Sequence, residues 1–491
     1  MNNPYQLSFK LKQHTPIIHF QHNQEGATLR ASEVKPKLDR FLMIKLCEEM
    51  SESSNMSLAE KYEMGKKIAI KKDLLIGNGN HPALNYKLSI LNLSEVKIEL
   101  INKVKSANGV IKKKGRESDR RIIAELESYP LFFGNLDKDI DDPNEYKKFA
   151  FCEDLEMKLC SLNSDLMDLL KKPGLIAEFL FTNNFGTRQS KGFGSYTVLD
   201  AQIPENLCKY SYNISHNKLP EKLSELKSFF EQIKIFYNCL RAGLHLKRPK
   251  KNERGEKIFV NNKPEMTDVF YFKSLIFFYA KQKLKVQWEK KTIKEMFFKD
   301  NYSIKDKNGI EKHITGRLCE QIEKRKNIDG PLHYSQIKKL LIKDTLGLSS
   351  LENWQSYNET ISKIQSDGKD PLSKDKIEIQ RFQTPFILKP IYNYKEKSFK
   401  VLIVIKDNSP IILDKYFQIE RKSGRPKSLN LKTPDCQQFK ISDFLSFIFF
   451  EKEPNSINYL VHLPKYVEDK FQNTTEYKFI ENIFEQIRTK L

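Results

Sequence analysis

A thirteen-residue segment, Asn184 to Tyr196, places three glycines and two cations between a predicted helix and a predicted strand. It reads Asn-Phe-Gly-Thr-Arg-Gln-Ser-Lys-Gly-Phe-Gly-Ser-Tyr and is called the glycine loop below. Amphipathic spacing predicts a helix over 164–183, and Thr197-Val198-Leu199 predicts the start of a strand. Because glycine tolerates left-handed backbone and close approach of a neighbour, the chain must fold with a tight basic turn joining helix to sheet.

Two familiar motifs do not fit the glycine loop. A Walker A loop needs G-x-x-x-x-G-K-[ST] between a strand and a helix, whereas here Lys191 precedes its glycine and a helix precedes the loop. The RNA-recognition-motif signature matches at 191–194 and departs from Ser195 onward.

The glycine amides are expected to face phosphate oxygens, with a planar fork from Arg188 and a mobile charge from Lys191. The residues alone leave open a second interpretation, a tight turn whose charges face water.

Net charge is the second functional signal. The 491 residues carry 84 Lys and Arg against 63 Asp and Glu, a formal charge of +21. The excess is uneven, with 30 basic and 27 acidic residues in 1–200 but 54 and 36 in 201–491. Such a surplus favours polyanionic partners, nucleic acid first. A surface of solvated lysines would give the same total.

Composition excludes several classes of protein. With 33 Phe, 20 Tyr and 2 Trp, the chain has enough large apolar side chains for a folded interior, which excludes wholesale disorder. Seven scattered cysteines form no C-x-x-C pair, so zinc-finger and disulfide-scaffold classes have no support. No apolar run is long enough to span a bilayer, and the polar N-terminus lacks a signal-peptide pattern. We expect a cytoplasmic protein with no metal and no cofactor.

The order of predicted elements indicates an α+β protein. Leu7, Phe9 and Leu11 alternate with polar residues, which predicts a first strand, and helical spacing follows over 29–50. The pattern then turns mostly helical, most clearly over 223–244, 269–298 and 333–346, before strands return beyond residue 380.

These patterns predict three parts of the chain. Residues 1–205 form an N-terminal domain that carries the glycine loop, and residues 206–375 form a mostly helical region. Residues 376–491 contribute the strands of a second lobe.

The sequence around the glycine loop resembles a known superfamily. A helix, a basic loop ending in Gly-Phe-Gly-Ser and then a strand are similar to the signature of the RAMP proteins, the RNA-binding subunits of CRISPR systems. The N-terminal segment resembles the opening of that superfamily, in which a strand ending in Thr-Pro precedes a helix start of the form L-R-x-S-x-[hydrophobic]-K-G. Here Thr15-Pro16 precedes the segment Leu29–Pro36, with proline where glycine is usual.

Two further segments strengthen the resemblance. Phe132-Phe133-Gly134 matches an F-G found downstream in the same proteins. Arg381–Pro390 is similar to an R-x-x-S-P-[hydrophobic] strand of the first subunit of the Cmr (type III-B) effector complex, with Thr384 in place of the serine.

The resemblance implies a fold and a function. It implies two ferredoxin-like (RRM-like) lobes with antiparallel sheets, which would stand beside the helical middle region. It also implies a non-catalytic RNA-binding subunit of a type III CRISPR effector ribonucleoprotein, acting in antiviral defence. Its partners would be guide RNA, target RNA and the other effector subunits, and no membrane. The residues expected to contact RNA are Gly186, Arg188, Lys191, Gly192, Gly194 and Ser195 in the loop, and Arg30, Lys35 and Lys37 at a helix N-terminus.

Two other functions stay open. Some RAMP relatives cut RNA without metal by means of a histidine near the first strand, and His14 and His19 are placed for that role in a guide-RNA-processing endoribonuclease. The third alternative is a protein-interaction scaffold whose basic surface is incidental.

Overall fold

The computed structural model describes most of the chain in seventeen segments. These are residues 4–19, 28–50, 56–76, 83–100, 148–217, 223–250, 252–256, 258–260, 263–298, 302–305, 311–314, 338–354, 359–367, 379–406, 409–421, 428–450 and 474–490. The Phe132-Phe133-Gly134 segment lies outside the described residues.

The described strands and helices are numbered in chain order. The strands are β1 (Gln6–Gln13), β2 (Leu75–Ile76), β3 (Ala83–Leu84), β4 (Lys87–Asn92), β5 (Val96–Leu100), β6 (Lys148–Cys152), β7 (Asp154–Cys160), β8 (Tyr196–Val198), β9 (Ser211–Ser215), β10 (Leu244–Pro249), β11 (Phe259–Val260), β12 (Lys263–Pro264), β13 (Met266–Phe272), β14 (Tyr302–Lys305), β15 (Glu311–Ile314), β16 (Leu348–Ser349), β17 (Leu351–Trp354), β18 (Glu359–Ser366), β19 (Arg381–Phe382), β20 (Phe386–Asn393), β21 (Ser398–Ile405), β22 (Tyr416–Arg421) and β23 (Ser428–Lys432). The α-helices are α1 (Ala31–Glu48), α2 (Leu58–Lys71), α3 (Ser164–Leu170), α4 (Leu175–Phe181), α5 (Glu205–Cys208), α6 (Lys227–Arg241), α7 (Leu275–Phe278), α8 (Glu289–Phe297), α9 (Ile441–Phe450) and α10 (Thr475–Arg488).

The chain divides into two units, and each is discontinuous in sequence. Unit 1 comprises Met1–Lys234, Phe386–Val404 and Glu485–Leu491. Unit 2 comprises Ile235–Pro385 and Ile405–Phe484. This division differs from the predicted boundaries, since residues 386–404 belong with the N-terminal part.

Unit 1 is built on a four-stranded antiparallel sheet in the order β4-β7-β1-β8. Strand β1 lies in the centre, with Phe9 opposite Met157 of β7 and Leu11 opposite Val198 of β8. Leaving aside α2 and the strands β2, β3, β5 and β6, the elements follow the order β1, α1, β4, β7, α3 with α4, and β8. The sheet therefore contains two split β-α-β units.

The core of unit 1 lies between this sheet and its helices. Leu38 and Leu42 of α1 and Phe179 of α4 are fully buried against Leu155 and Leu159 of β7. Side chains alternate along a strand, so the residues between them face away from the helices. The predicted first strand and the predicted helix over 29–50 are both confirmed, as β1 and α1.

A second sheet in unit 1 has three antiparallel strands in the order β20-β21-β9. In β20, the run from Phe386 to Pro390 is buried throughout. A strand covered on both faces is expected to be apolar along its whole length. The exception here is Lys389, which is 0% exposed.

Unit 2 contains another four-stranded antiparallel sheet, in the order β17-β18-β22-β23. A buried ion-pair network lies on one face. Lys363 Nζ contacts Asp344 at 2.6 Å and Glu352 at 3.0 Å, and Lys343 Nζ reaches Glu352 at 2.9 Å. Glu289 accepts the backbone N–H of Lys343, and burial together with Asp344 raises the pKa of Glu289 to about 7.

The prediction of a mostly helical region over 206–375 is wrong for the described residues. The predicted helix over 223–244 is largely confirmed, by a 3₁₀ turn and α6. The predicted helix over 269–298 instead begins as strand β13, pairs with β10, and becomes helical only from Leu275. The run Val269 to Phe272 is apolar and aromatic, and a short run of that kind fits a strand as well as a helix.

Candidate RNA-contact site

The glycine loop joins α4 to β8 and is largely buried in unit 1. Among its thirteen residues the side chains that keep partial exposure are Arg188, Gln189 and Lys191. Asn184 is 1% exposed, and Phe193 and Ser195 are fully buried. The interior of the loop is therefore packed, and its outer side carries two cations and an amide.

The backbone amides of the loop are already hydrogen-bonded to the protein. Gly194 donates to the Pro16 carbonyl at 2.9 Å, and Gly192 donates to the Gln189 carbonyl at 3.4 Å. Gly186 donates to a carboxylate oxygen of Glu33. The prediction that these glycine amides face phosphate oxygens is therefore wrong, because the donors are committed to acceptors within unit 1.

The glycines are explained by close packing. Gly194 has φ +64°, and a Cβ built there would lie 2.0 Å from the Phe185 carbonyl oxygen. At Gly186, with φ +77°, a Cβ would lie 2.6 Å from Ile17 Cγ1. Real Cβ atoms do not approach other atoms so closely, and L-residues rarely adopt that φ. Glycine at these positions lets the loop lie directly on its neighbours.

Strand β20 packs against the glycine loop. The Asn184 side-chain amide donates to the Leu388 carbonyl at 2.8 Å, and the Leu388 N–H donates to the Ser190 carbonyl at 3.2 Å. Ser195 Oγ donates to the Pro390 carbonyl at 2.5 Å. Ser195 is thus corrected from a predicted RNA contact to a buried hydrogen-bonding residue, since it has no exposed surface.

Sequence reasoning missed Lys389, which braces both ends of the loop. Its Nζ donates to the Asn183 carbonyl at 2.8 Å and to the Tyr196 carbonyl at 2.7 Å. The signal was a lysine inside an otherwise apolar strand, which is unusual because a buried ammonium must be compensated by acceptors.

The three cations predicted at the start of α1 differ in what they contact. Lys37 Nζ donates to the Asn184 carbonyl at 3.0 Å and to Gln189 Oε1 at 2.8 Å, so it holds the loop from the helix side. Burial lowers the pKa of Lys37, and Glu33 opposes that shift. Lys35 Nζ contacts Asp39 at 2.9 Å, and Arg30 is the partly exposed N-cap residue.

The side chains of the two loop cations are both partly exposed. Arg188 adopts φ +58°, a left-handed conformation that is uncommon for a residue with a side chain. Lys191 follows three residues later, its N–H bonded to the Arg188 carbonyl at 2.8 Å, and it forms a parallel bridge with Leu388. The loop backbone is thus held on both sides at the position of these cations.

His14 is buried and neutral. Its Nδ1 accepts the backbone N–H of Tyr392 at 3.1 Å, so Nε2 carries the proton and donates to Thr197 Oγ1 at 2.8 Å. Burial, with the nearby charges of Lys389 and Lys12, lowers the pKa of His14 to about 3. Both ring nitrogens serve the packing of β1 against β8 and β20, which leaves none for a substrate.

His19 is partly buried before the start of α1. Its Nε2 lies 2.6 Å from the Thr28 carbonyl oxygen, and Nδ1 lies 3.9 Å from a carboxylate oxygen of Glu33. A carbonyl only accepts hydrogen bonds, so Nε2 is the donor. These two contacts hold the end of the first described segment, residues 4–19, near the start of α1.

Thr384 belongs to the R-x-x-T-P element and is buried in unit 2. Its hydroxyl donates to the Leu346 carbonyl at 3.1 Å and lies 2.7 Å from the Tyr237 hydroxyl. Serine would offer the same hydroxyl, so the replacement preserves these bonds.

Within the described residues, no group of three or more His, Cys, Asp or Glu side chains is placed to hold a metal ion. Nor does any helix in the described segments combine the length and apolarity required to cross a bilayer.

The family model described as the Cmr1 N-terminal domain matches residues 4–244, and the model described as the Cmr1 C-terminal domain matches residues 271–475. No curated protein matches the chain. Among solved structures, the crystal structure of Cmr6 from Pyrococcus furiosus is 9% identical, with coverage of 40% of this chain and 99% of that chain and a TM-score of 0.23.

Proposed function

The chain belongs to the Cmr1 family of RAMP proteins and is thus a subunit of a type III CRISPR Cmr complex; from that premise we propose that it is a non-catalytic RNA-binding subunit. It would contact the backbone of guide RNA, target RNA or both, in the cytoplasm and in antiviral defence. The first lobe would be ferredoxin-like, a proposal supported by its β-α-β-β-α-β element order and the strand order β4-β7-β1-β8.

The proposal rests mainly on the glycine loop, which has one packed side and one charged side. Of its residues, those with partly exposed side chains are Arg188, Gln189 and Lys191. Cations held by a rigid backbone lose less conformational freedom on binding than cations on a mobile loop. A guanidinium and an ammonium in such a position suit phosphate oxygens.

The charge of the whole chain supports the same partner. A surplus of +21 raises the local concentration of polyanions and gives an affinity that falls with salt. Contacts to phosphate groups fix the position of the RNA on the protein but do not discriminate between bases. Base pairing between guide and target would supply the sequence specificity, as in other RNA-guided systems.

The geometry around the histidines favours a non-catalytic role over the endoribonuclease alternative. A general base must reach the proton that it abstracts, and both nitrogens of His14 are hydrogen-bonded inside unit 1. His19 donates to a backbone carbonyl. Neither residue offers the poised, accessible imidazole that cleavage at a 2′-hydroxyl requires.

Fluorescence anisotropy with a labelled single-stranded RNA tests the proposal. We expect binding whose logarithmic affinity falls linearly with the logarithm of salt concentration, with no cleavage of the RNA in EDTA. Weak binding that is flat with salt would favour the scaffold alternative. Site-specific cleavage that His19→Ala abolishes would favour the endoribonuclease.

A further inference from the structure

Strand β4 forms one edge of the four-stranded sheet of unit 1. Within the described residues it pairs with β7 on one side and with no strand on the other. The Leu93 N–H donates to the Asp154 carbonyl of β7 at 2.9 Å. Residues of one parity in an antiparallel strand all direct their N–H and C=O to the same side, so Ser89 and Leu91 also face β7.

The residues of β4 that alternate with Ser89 and Leu91 direct their backbone groups away from β7. Leu88 and Ile90 therefore direct their backbone N–H and C=O groups to the open edge, while their side chains pack against the core. Asn92 has the same parity, and its side chain accepts a hydrogen bond from Thr28 Oγ1 at 2.7 Å. The edge thus presents two donors and two acceptors from Leu88 and Ile90, spaced for another strand.

The usual protections of a free sheet edge are weak here. Natural edges are blocked by proline, by several charges or by bulges, because an open edge recruits another strand. The sequence of β4, Lys-Leu-Ser-Ile-Leu-Asn, has one charge, at Lys87, and no proline, and its register with β7 is unbroken. Leu91 is 46% exposed and Leu93 is 52% exposed. Two large apolar side chains therefore flank backbone groups that pair with no other described strand.

The chemistry of this edge indicates what covers it. An RNA strand would require cations, and Lys87 alone supplies one within β4. A second copy of this chain would bring a like charge of +21, which opposes self-association. An extended protein segment can pair with the backbone and cover the leucines at the same time.

We propose that the open edge of β4 is a docking site for an extended segment of a different, less basic protein, which adds a strand beside Leu88 and Ile90. The segment would carry apolar side chains at alternate positions, because those positions face Leu91 and Leu93 across the new pair. Within the Cmr complex the candidates are its other subunits. The proposal uses the family assignment and does not depend on RNA binding.

Hydrogen exchange tests the backbone part of the proposal. The free chain is compared with the complex reconstituted by co-expression with the other proteins of its own Cmr complex. The amides of Leu88 and Ile90 are expected to exchange fast in the free chain and at least about tenfold more slowly in the complex. The amides of Ser89 and Leu91, which face β7, should be protected in both. Equal exchange of Leu88 and Ile90 in the two states would overturn the proposal.

A matched pair of variants tests the side-chain part. Leu91→Lys places a charge at the edge of the sheet. Leu162→Lys is the control and places a charge elsewhere in unit 1, at a position where the leucine side chain is 88% exposed. We expect Leu91→Lys to lower co-purification of the partner subunits at least about tenfold and Leu162→Lys to change it less than about twofold. Equal recovery with both variants would contradict docking at β4.

Thermal unfolding and RNA affinity complete the comparison of the two variants. Both are expected to keep the unfolding temperature and the RNA affinity of the unmodified chain, since both sites are exposed. If the unmodified chain fails to bind RNA while Leu91→Lys still loses its partners, the proposed function fails and the docking site stands.

Discussion

The side-chain amide of Asn184 donates to the backbone carbonyl of Leu388 at 2.8 Å, across 204 positions of sequence. This bond joins the first residue of the glycine loop to the middle of strand β20. Ser195, near the other end of the loop, bonds to the Pro390 carbonyl two residues later. The loop is therefore a packed joint between the N-terminal sheet and a strand from the C-terminal part, and the proposed contact with RNA is limited to its partly exposed side chains.

The packing of Gly194 predicts a large loss of stability on substitution. Gly194→Ala would place a Cβ 2.0 Å from the Phe185 carbonyl oxygen at φ +64°. We expect the free energy of unfolding to fall by more than about 3 kcal/mol in urea titration. Gly174→Ala is the matched control, because φ is +75° but no atom lies within 4 Å, and it should cost about 1 kcal/mol. Equal losses would show that steric contact at Gly194 is unimportant.

Ser195 is predicted to affect stability and leave RNA affinity unchanged. Ser195→Ala removes the donor to the Pro390 carbonyl in a fully buried position and leaves that acceptor unsatisfied. The expected loss is about 1–3 kcal/mol in the free energy of unfolding. RNA affinity measured well below the unfolding temperature should match the unmodified chain. A fall in affinity without a fall in stability would return Ser195 to the RNA-contact surface.

Because His14 is buried, the free energy of unfolding is expected to fall in acid. Its pKa is lowered from 6.5 to about 3 by burial and the charges of Lys389 and Lys12, so the unfolded chain binds a proton that the folded chain does not. Its contribution to stability is complete above pH 6.5 and is lost as the pH falls toward 3, at up to about 1.4 kcal/mol per pH unit.

The variant His14→Asn isolates that contribution. It removes the titrating group and keeps a side-chain acceptor for the Tyr392 N–H. Urea unfolding between pH 7 and pH 4 should show a shallower decline for the variant than for the unmodified chain. Parallel declines would mean that His14 does not titrate as inferred.

The ion-pair network of unit 2 predicts a strong effect from a single truncation. Lys363→Met would leave Asp344, which is 0% exposed, and Glu352 without their shared cation. Removal of one partner of a buried pair costs about 3–5 kcal/mol. Lys432→Met, which breaks an exposed pair with Asp414, is the control and should leave the urea midpoint nearly unchanged. A small effect of Lys363→Met would show that solvent reaches the network.

Local pattern predicted the local elements well. Leu7, Phe9 and Leu11 alternate as a strand requires, and β1 and α1 formed where their periodicities indicated. The family was also identified from short motifs, as the two Cmr1 domain matches confirm. These features depend on residues within one or two turns of each other, so the sequence carries them directly.

Features that depend on distant contacts were not predicted. Nothing near Gly192 indicates that Pro390 lies against the loop. The amides of Gly186 and Gly194 looked available because their acceptors, Glu33 and Pro16, are remote in sequence. Likewise, the run Val269 to Phe272 became strand β13 through pairing with β10. In both cases tertiary pairing decided what local preference left open.

Arg188 and Lys191 are proposed to bind RNA from the outer side of a rigid loop. The RNA affinity of the double variant Arg188→Ala/Lys191→Ala, measured by fluorescence anisotropy across a salt series, tests this proposal. The double variant Lys66→Ala/Lys67→Ala on α2 removes the same charge elsewhere in unit 1. We expect the loop variant to bind at least about tenfold more weakly, with the salt slope reduced by about two, at unchanged unfolding temperature. Equal affinities of the two double variants, with both folded, would contradict RNA binding by Arg188 and Lys191.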